Sequence, residues 1–378
     1  MEQLIVKPLK ESNISTVIVI DGLDECKDEE PASIILSVLG RLVAEIPKVK
    51  FFLTGRPEPR ISKGFRLPLL AEIKDIFFLH GVEKDKVNSD IRLFFKEELT
   101  GHPTEAQLDQ LCERADGLFV YAEATVQFIN DPKKNPEERL SLLLDSQKIG
   151  GREGKFTLDS LYTSILEEAF GNDPEDDTKN CSVLGAVILA INPLSPSTIA
   201  KLLELKVEWE VLPLLSSVNS LLVLQEDANH PVQPFHKSFP DFITDPTRCT
   251  NQRFYLSPPC HHLELLVGCL KLMNQKLEKN MCQLPDAVAN SDVGDLKARV
   301  DKYIDPALQY ACVSWHTHLL GVEITPADAP TITSTLDEFL NEFLNAKFLF
   351  WLEVLSVLCT VKNAVHALRA AMDLLKVC

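Results

Sequence analysis

The chain has no C-x-x-C pair, no block of Lys and Arg, and no apolar run long enough to cross a bilayer; each absence removes a class of function. Its ten cysteines are scattered singly, so neither a zinc ribbon nor a disulfide framework is expected, and most should be buried thiols. Cys260, His261, His262 and Cys269 form the one grouping with metal-ligand chemistry. It opens the apolar helical stretch HLELLVGCLKLM, however, and reads first as packing. A formal charge of −17 with no basic patch repels phosphate backbones and anionic leaflets, which argues against nucleic acid and membrane as partners. The longest apolar run, Val183 to Ile191, is far short of a membrane span, and Met1 to Asn13 lacks the apolar core of a signal peptide. A cytoplasmic location is expected, and no fixed-period repeat is visible.

What is present begins with VIVIDGLDEC, Val17 to Cys26, in which a β-branched run leads directly into Asp21, Asp24 and Glu25. A run this apolar, ended by Asp-Gly, reads as a strand covered on both faces, the environment of a parallel sheet. Pro31 then opens a segment with Ile34, Ile35, Val38, Leu39, Leu42, Val43 and Ile46 at helical spacing, preceded by acids as at a helix start. Lys48 to Thr54 is a second short strand, closed by Gly55-Arg56-Pro57. Strand, helix and strand in this order give a right-handed crossover between parallel neighbours, so Asp21 and Arg56 should leave one edge of one sheet.

Ligands of open parallel sheets sit outside the carboxyl ends of the strands. There one carboxylate can hold Mg²⁺ through water, a second can orient an attacking water, and an Arg can meet a terminal phosphate. The competing reading is structural: Asp24 and Glu25 solvate a loop and Arg56 pairs with one of them. Haloacid-dehalogenase chemistry also starts from an apolar strand ending in Asp, but it needs D-x-D, and Asp21 and Asp24 stand three apart.

At 378 residues and 45% hydrophobic composition, two or three domains are expected. Residues 1–80 carry the strands. Residues 81–150 are helical, with periodic segments Val87 to Leu99 and Leu108 to Ile129 and the turn-rich connector NDPKKN. Residues 151–255 hold short helices followed by a hairpin, Leu221 to Leu224 and Val232 to Phe235, a pattern that suggests a winged-helix module. Residues 256–378 are helical again, broken at Asp286 to Asp292 and at Thr325 to Thr331. The expected class is a partial parallel-sheet core followed by a mostly α-helical region, α-rich overall.

A nucleotide site on such a strand edge also needs G-x-x-x-x-G-K-[ST] to cradle phosphates. The nearest stretch, Gly150 to Phe156, has its first Gly one residue too close, ends in Phe156 where a hydroxyl is required, and follows the acidic strand instead of preceding it.

VIVIDGLDEC followed by KFFLTGRPEPRI resembles the Walker B and sensor-1 segments of the NACHT (STAND) class of signal-transduction NTPases. LCERADGLFVYAEATVQFI, PFHKSFPDFITDPTRC, YACVSWHTHL and KFLFWLEVLSVL are similar to the helical, winged-helix and superhelical parts of fungal NACHT proteins, in family order and over essentially the entire chain. The resemblance implies that Asp21 is the Mg²⁺-linked acid, that Asp24 and Glu25 position or activate water, and that Arg56 senses the γ-phosphate. It implies for His236, in PFHKSF, a hold on the β-phosphate of ADP; a packed histidine at a strand-to-helix joint is the alternative. ATP or ADP with Mg²⁺ is the family's cofactor, and the missing glycine-Lys loop implies weak or no binding by these residues alone. On this reading the chain is a segment truncated before Walker B and lacking the family's C-terminal propeller. It would act either as part of an ATP/ADP-dependent switch and oligomerisation scaffold, or as a non-catalytic scaffold binding itself or full-length relatives.

Overall fold

The computed structural model describes residues 7–12, 15–25, 29–43, 45–66, 70, 73–79, 82–100, 102–145, 157–171, 176–225, 227–285, 289–323 and 329–377. Cys26, the Gly150 to Phe156 stretch, the 150 boundary, and residues 286–288 and 325–328 of the two polar breaks lie outside them. The described residues are helix-rich with two small sheets, and the chain divides into two compact units, residues 1–83 and 84–378. None of the described helices is long and apolar enough to cross a membrane.

In the first unit α1 (Lys7–Ser12) precedes β1 (Thr16–Ile20), a 3₁₀ turn over Leu23–Glu25, α2 (Glu29–Leu42), β2 (Val49–Leu53) and α3 (Pro59–Gly64). β1 and β2 pair in parallel with Val17 opposite Lys50 and Val19 opposite Phe52, as strand-helix-strand connectivity demands. Ile18 and Phe51 turn toward Leu42, Ile46 and Val49, while Leu53 packs with Leu23, Leu36 and Ile61. The contact is close: a Cβ on Gly64 would lie 2.4 Å from Leu36 Cδ1.

The expectation of a strand covered on both faces is not met. Val17, Val19 and Phe52 are 57%, 62% and 59% exposed, so one face of the pair, shared with the exposed Lys50, is bare. Period-2 alternation of burial replaces the two-sided burial that an unbroken β-branched run suggests, because a β-branched run records strand propensity without saying how many layers pack on it.

The second unit starts with α4 (Lys84–Glu98), α5 (Glu105–Ala115), α6 (Phe119–Ile129) and α7 (Pro136–Asp145). The periodic stretch Leu108 to Ile129 is thus two helices. Asp116 and Gly117 take φ of 43° and 80°, a left-handed pair that stops α5 and redirects the chain. Thr104 caps α5 reciprocally with Gln107, and Thr157 caps α8 (Leu158–Phe170) with Ser160. Then follow α9 (Asp177–Leu189), α10 (Pro196–Leu203) and α11 (Leu212–Ser217). β3 (Leu222–Val223) and β4 (Gln233–Pro234) pair antiparallel, Val232 bridges to Leu194, and α12 (Ser238–Ile243) leaves the hairpin.

The last part of the chain contains α13 (Pro258–Lys276), α14 (Leu296–Tyr303), α15 (Pro306–Leu320), α16 (Ala329–Glu342), α17 (Phe348–Val357) and α18 (Lys362–Val377). Thr331, read as loop, is inside α16. Trp315 and Trp351 meet edge to face at 6.0 Å, and Trp351 Nε1 donates to Cys312 O at 2.8 Å, giving the buried indole its partner. One continuous apolar core runs from Ile91 to Ala371.

Candidate functional site

The carboxyl ends of β1 and β2 are tied together by hydrogen bonds rather than by apolar contact. Thr54 N donates to Ile20 O at 3.0 Å, and Leu23 N donates to Thr54 O at 2.9 Å. Gly22, at φ 64°, lets the chain turn and sends its N–H to Thr54 Oγ1 at 2.9 Å. The Thr54 hydroxyl donates in turn to Asp21 Oδ1. Asp21 is exposed at the strand end, with a hydroxyl on one of its carboxylate oxygens.

Asp24 is different: it is 5% exposed. Its Oδ1 accepts the Arg56 backbone N–H at 3.1 Å, and its Oδ2 lies 3.7 Å from Arg56 Nε. Gly55 permits the approach, since a Cβ there would stand 3.3 Å from Asp24 Oδ1. The structure therefore brings Asp21, Asp24 and Arg56 to one edge but joins Arg56 to Asp24. Glu25 shares the 3₁₀ turn, and its side chain is outside the description. Thr54 is the residue that reading the sequence missed. Its position as the last residue before Gly55-Arg56, level with Asp21 across the parallel pair, was the available signal.

His236 belongs to the second unit, between β4 and α12. The Ser238 backbone N–H donates to its Nδ1 at 3.1 Å, and Ser238 Oγ lies 2.6 Å from the same atom. Ser238 Oγ is also 2.7 Å from the hydroxyl of Tyr162, whose own ionisation is pushed up by burial and drawn partly back by that contact. A backbone N–H can only donate, so Nδ1 is an acceptor and the hydrogen of the neutral ring sits on Nε2 of an exposed imidazole. The residue thus sits at a strand-to-helix joint with one nitrogen committed to the start of α12.

The Cys260, His261, His262, Cys269 grouping does not converge. His261 lies 3.2 Å from Glu264, and His262 pairs with His318 at 2.9 Å. Cys269 is buried, its thiol pushed far up by desolvation. Among the described residues no group of three or more His, Cys, Asp or Glu could hold a metal ion.

A parallel strand pair thus carries clustered acids, a threonine and an arginine at its carboxyl edge. Comparison with known proteins narrows the class. The family model described as Nephrocystin 3, N-terminal, matches residues 1–56, the segment that carries this edge. Vegetative incompatibility protein HET-E-1 of Podospora anserina is 24% identical over 95% of this chain. The chain spans 27% of the length of that relative. Both matches support a NACHT-related family. No solved structure matches.

Proposed function

We propose that these residues are part of a NACHT-type, nucleotide-dependent signalling switch, in which residues 1–80 are the carboxyl-terminal half of the nucleotide domain and residues 151–255 are a winged-helix module. The observation that carries the reading is the shared edge of β1 and β2, where Asp21, Asp24 and Arg56 gather. Asp21 and Thr54 offer hard oxygen donors of the kind Mg²⁺ takes, and the exposed Asp21 carboxylate has room for the waters that ion keeps. Asp24 and Glu25 would orient water and Arg56 would meet the γ-phosphate, which requires Arg56 to give up part of its pairing with Asp24. His236, with Nε2–H as a donor, suits a β-phosphate oxygen. ATP or ADP with Mg²⁺ is the cofactor on this reading. A bound nucleotide would supply phosphate charge, which Asp21, Asp24, Glu25 and Arg56 would orient and sense. No G-x-x-x-x-G-K-[ST] occurs in the 378 residues, so affinity for nucleotide here is weak.

The test is nucleotide titration and turnover on the longest natural product that contains this segment. Asp21→Ala and Arg56→Ala should abolish hydrolysis, and His236→Ala should loosen ADP more than ATP. Unchanged turnover in both edge variants overturns the proposal.

The Asp24–Arg56 pair favours a second reading, a non-catalytic scaffold that binds itself or longer relatives through its helices. Co-purification with such a relative from native cytosol supports it, whereas a monomer without partners at cellular concentration counts against it.

A further inference from the structure

Of the three tryptophans, Trp315 on α15 and Trp351 on α17 are fully buried, whereas Trp209 is 79% exposed. The backbone between α10 and α11 holds it there. Glu204 ends α10 at φ 56°, and the Leu205 N–H returns to Ala200 O at 2.8 Å. Val207–Val211 then forms one wide helical turn, in which Lys206 O accepts the Glu210 N–H at 2.9 Å and the Val211 N–H, five residues on, at 3.3 Å. Leu205, Val207 and the fully buried Val211 pack on the core. Residues four apart share a face, so with Val207 and Val211 inward, Trp209 midway between them is turned outward.

The turn is ordered before anything binds. Glu210 Oε2 accepts the Lys206 N–H at 2.8 Å, and the Leu212 N–H bonds to Val207 O. A large aromatic on an ordered turn loses little conformational freedom on contact, one reason tryptophan is enriched among the residues that anchor protein interfaces.

The charges of the turn select the partner. Glu210 lies 3.5 Å from Lys179 of α9, which also faces Asp176 at 3.6 Å, and the charge of Lys206 acts on Glu210 as well. At the end of α10, Glu204 pairs with Lys271 at 2.8 Å and Lys201 with Asp305. Glu208, exposed and adjacent to Trp209, makes no ion pair among the described residues. Asp176, Glu208 and Glu210 against Lys179 and Lys206 leave one carboxylate in excess, and Glu208 is the acid without a cation. The formal charge of −17 extends the preference to longer range: it draws in basic chains and repels anionic lipid and phosphate backbones.

We propose that the Trp209 turn is a docking site for an arginine-bearing basic segment of a partner protein, whose guanidinium stacks on the indole and donates to Glu208. Arginine fits both groups at once, since its plane lies flat on an aromatic face while its N–H fork still reaches a carboxylate. Lysine offers only a point charge. Nucleotide plays no part in the contact.

The experiment uses the full chain and two dye-labelled peptides of equal length, one alternating Arg with Ala and one alternating Lys with Ala, with binding read by anisotropy. Because a polycation associates loosely with any acidic surface, the variants carry the decision. Trp209→Ala should weaken the Arg peptide about tenfold, Glu208→Gln severalfold, and Trp209→Tyr, which keeps an aromatic face, much less than Trp209→Ala. The Lys peptide should bind the wild type more weakly than the Arg peptide. Unchanged affinity in Trp209→Ala, or a loss as large in Trp209→Tyr, overturns the site. A second readout needs no variant: with Trp315 and Trp351 buried, acrylamide quenching of the native chain reports Trp209, and the Arg peptide should shield it. Should Trp209→Ala fail to fold, this shielding decides, and its absence overturns the proposal. Shielding by phosphatidylserine vesicles but not by the peptide, or by self-association of the chain alone, overturns it too.

Discussion

Asp24 and Asp21 sit three residues apart, and the structure gives them opposite burdens. Asp24 is buried and accepts a backbone N–H, so Asp24→Ala leaves the Arg56 amide without its acceptor and should cost about 1–3 kcal/mol in urea unfolding of the full chain. Asp21 is exposed, and Asp21→Ala should cost less than about 1 kcal/mol. A stability loss confined to Asp24→Ala, with turnover lost in both variants, separates the buried support of the edge from its exposed ligand. The thiols divide in the same way. Cys260 and Cys359 are exposed, whereas Cys269 and Cys312 are buried and held protonated by desolvation. A thiolate reagent at neutral pH should label the first two within minutes and the second two only on unfolding, as mass spectrometry of the labelled peptides would show.

Between elements, close approaches and buried charges carry the packing. Gly268 of α13 faces α10 so nearly that a Cβ would stand 2.2 Å from Leu202 O, a backbone atom that cannot rotate away. Gly268→Ala should therefore destabilise by about 1–3 kcal/mol despite the better helix propensity of alanine. Arg139 of α7 is 5% exposed; it stacks at 4.1 Å on the Phe128 ring of α6, pairs with Glu168 of α8 at 2.8 Å, and lies 3.5 Å from buried Asp131. Removing it leaves the buried Asp131 without its cation, while Glu168 keeps Lys134 at 3.1 Å. Arg139→Ala should cost about 3–5 kcal/mol in thermal or urea unfolding, the range for breaking rather than replacing a buried pair.

At the scale of the molecule, charge and exposed apolar surface are unevenly divided. Residues 1–83 carry 11 Lys and Arg against 13 Asp and Glu, while the remaining residues carry 27 against 42. The nearly neutral unit is the one with the bare face of Val17, Val19 and Phe52, and Phe77 and Leu79 in it are 77% and 80% exposed. Little repulsion and much apolar surface favour self-association. Light scattering of the full chain should show concentration-dependent association, and Val19→Lys with Phe52→Lys should suppress it. Native-state amide exchange should open β1 and β2 well before α13 and α15, whose helices rest on the large continuous core.

The sequence by itself determined the parallel strand pair, the edge that gathers Asp21 and Arg56, the turn of the hairpin and most helix positions. These depend on local pattern: β-branched runs, helical apolar spacing, capping residues and the connectivity rule for parallel strands. Packing alone decided the rest. The bare sheet face, the hold of Thr54 on Asp21 and of Arg56 on Asp24, and the His262–His318 contact across 56 residues all depend on which surfaces meet. Side-chain pairing between distant segments leaves no periodic trace along a chain. A histidine in a helical run looks the same from its neighbours whether it faces solvent or another imidazole.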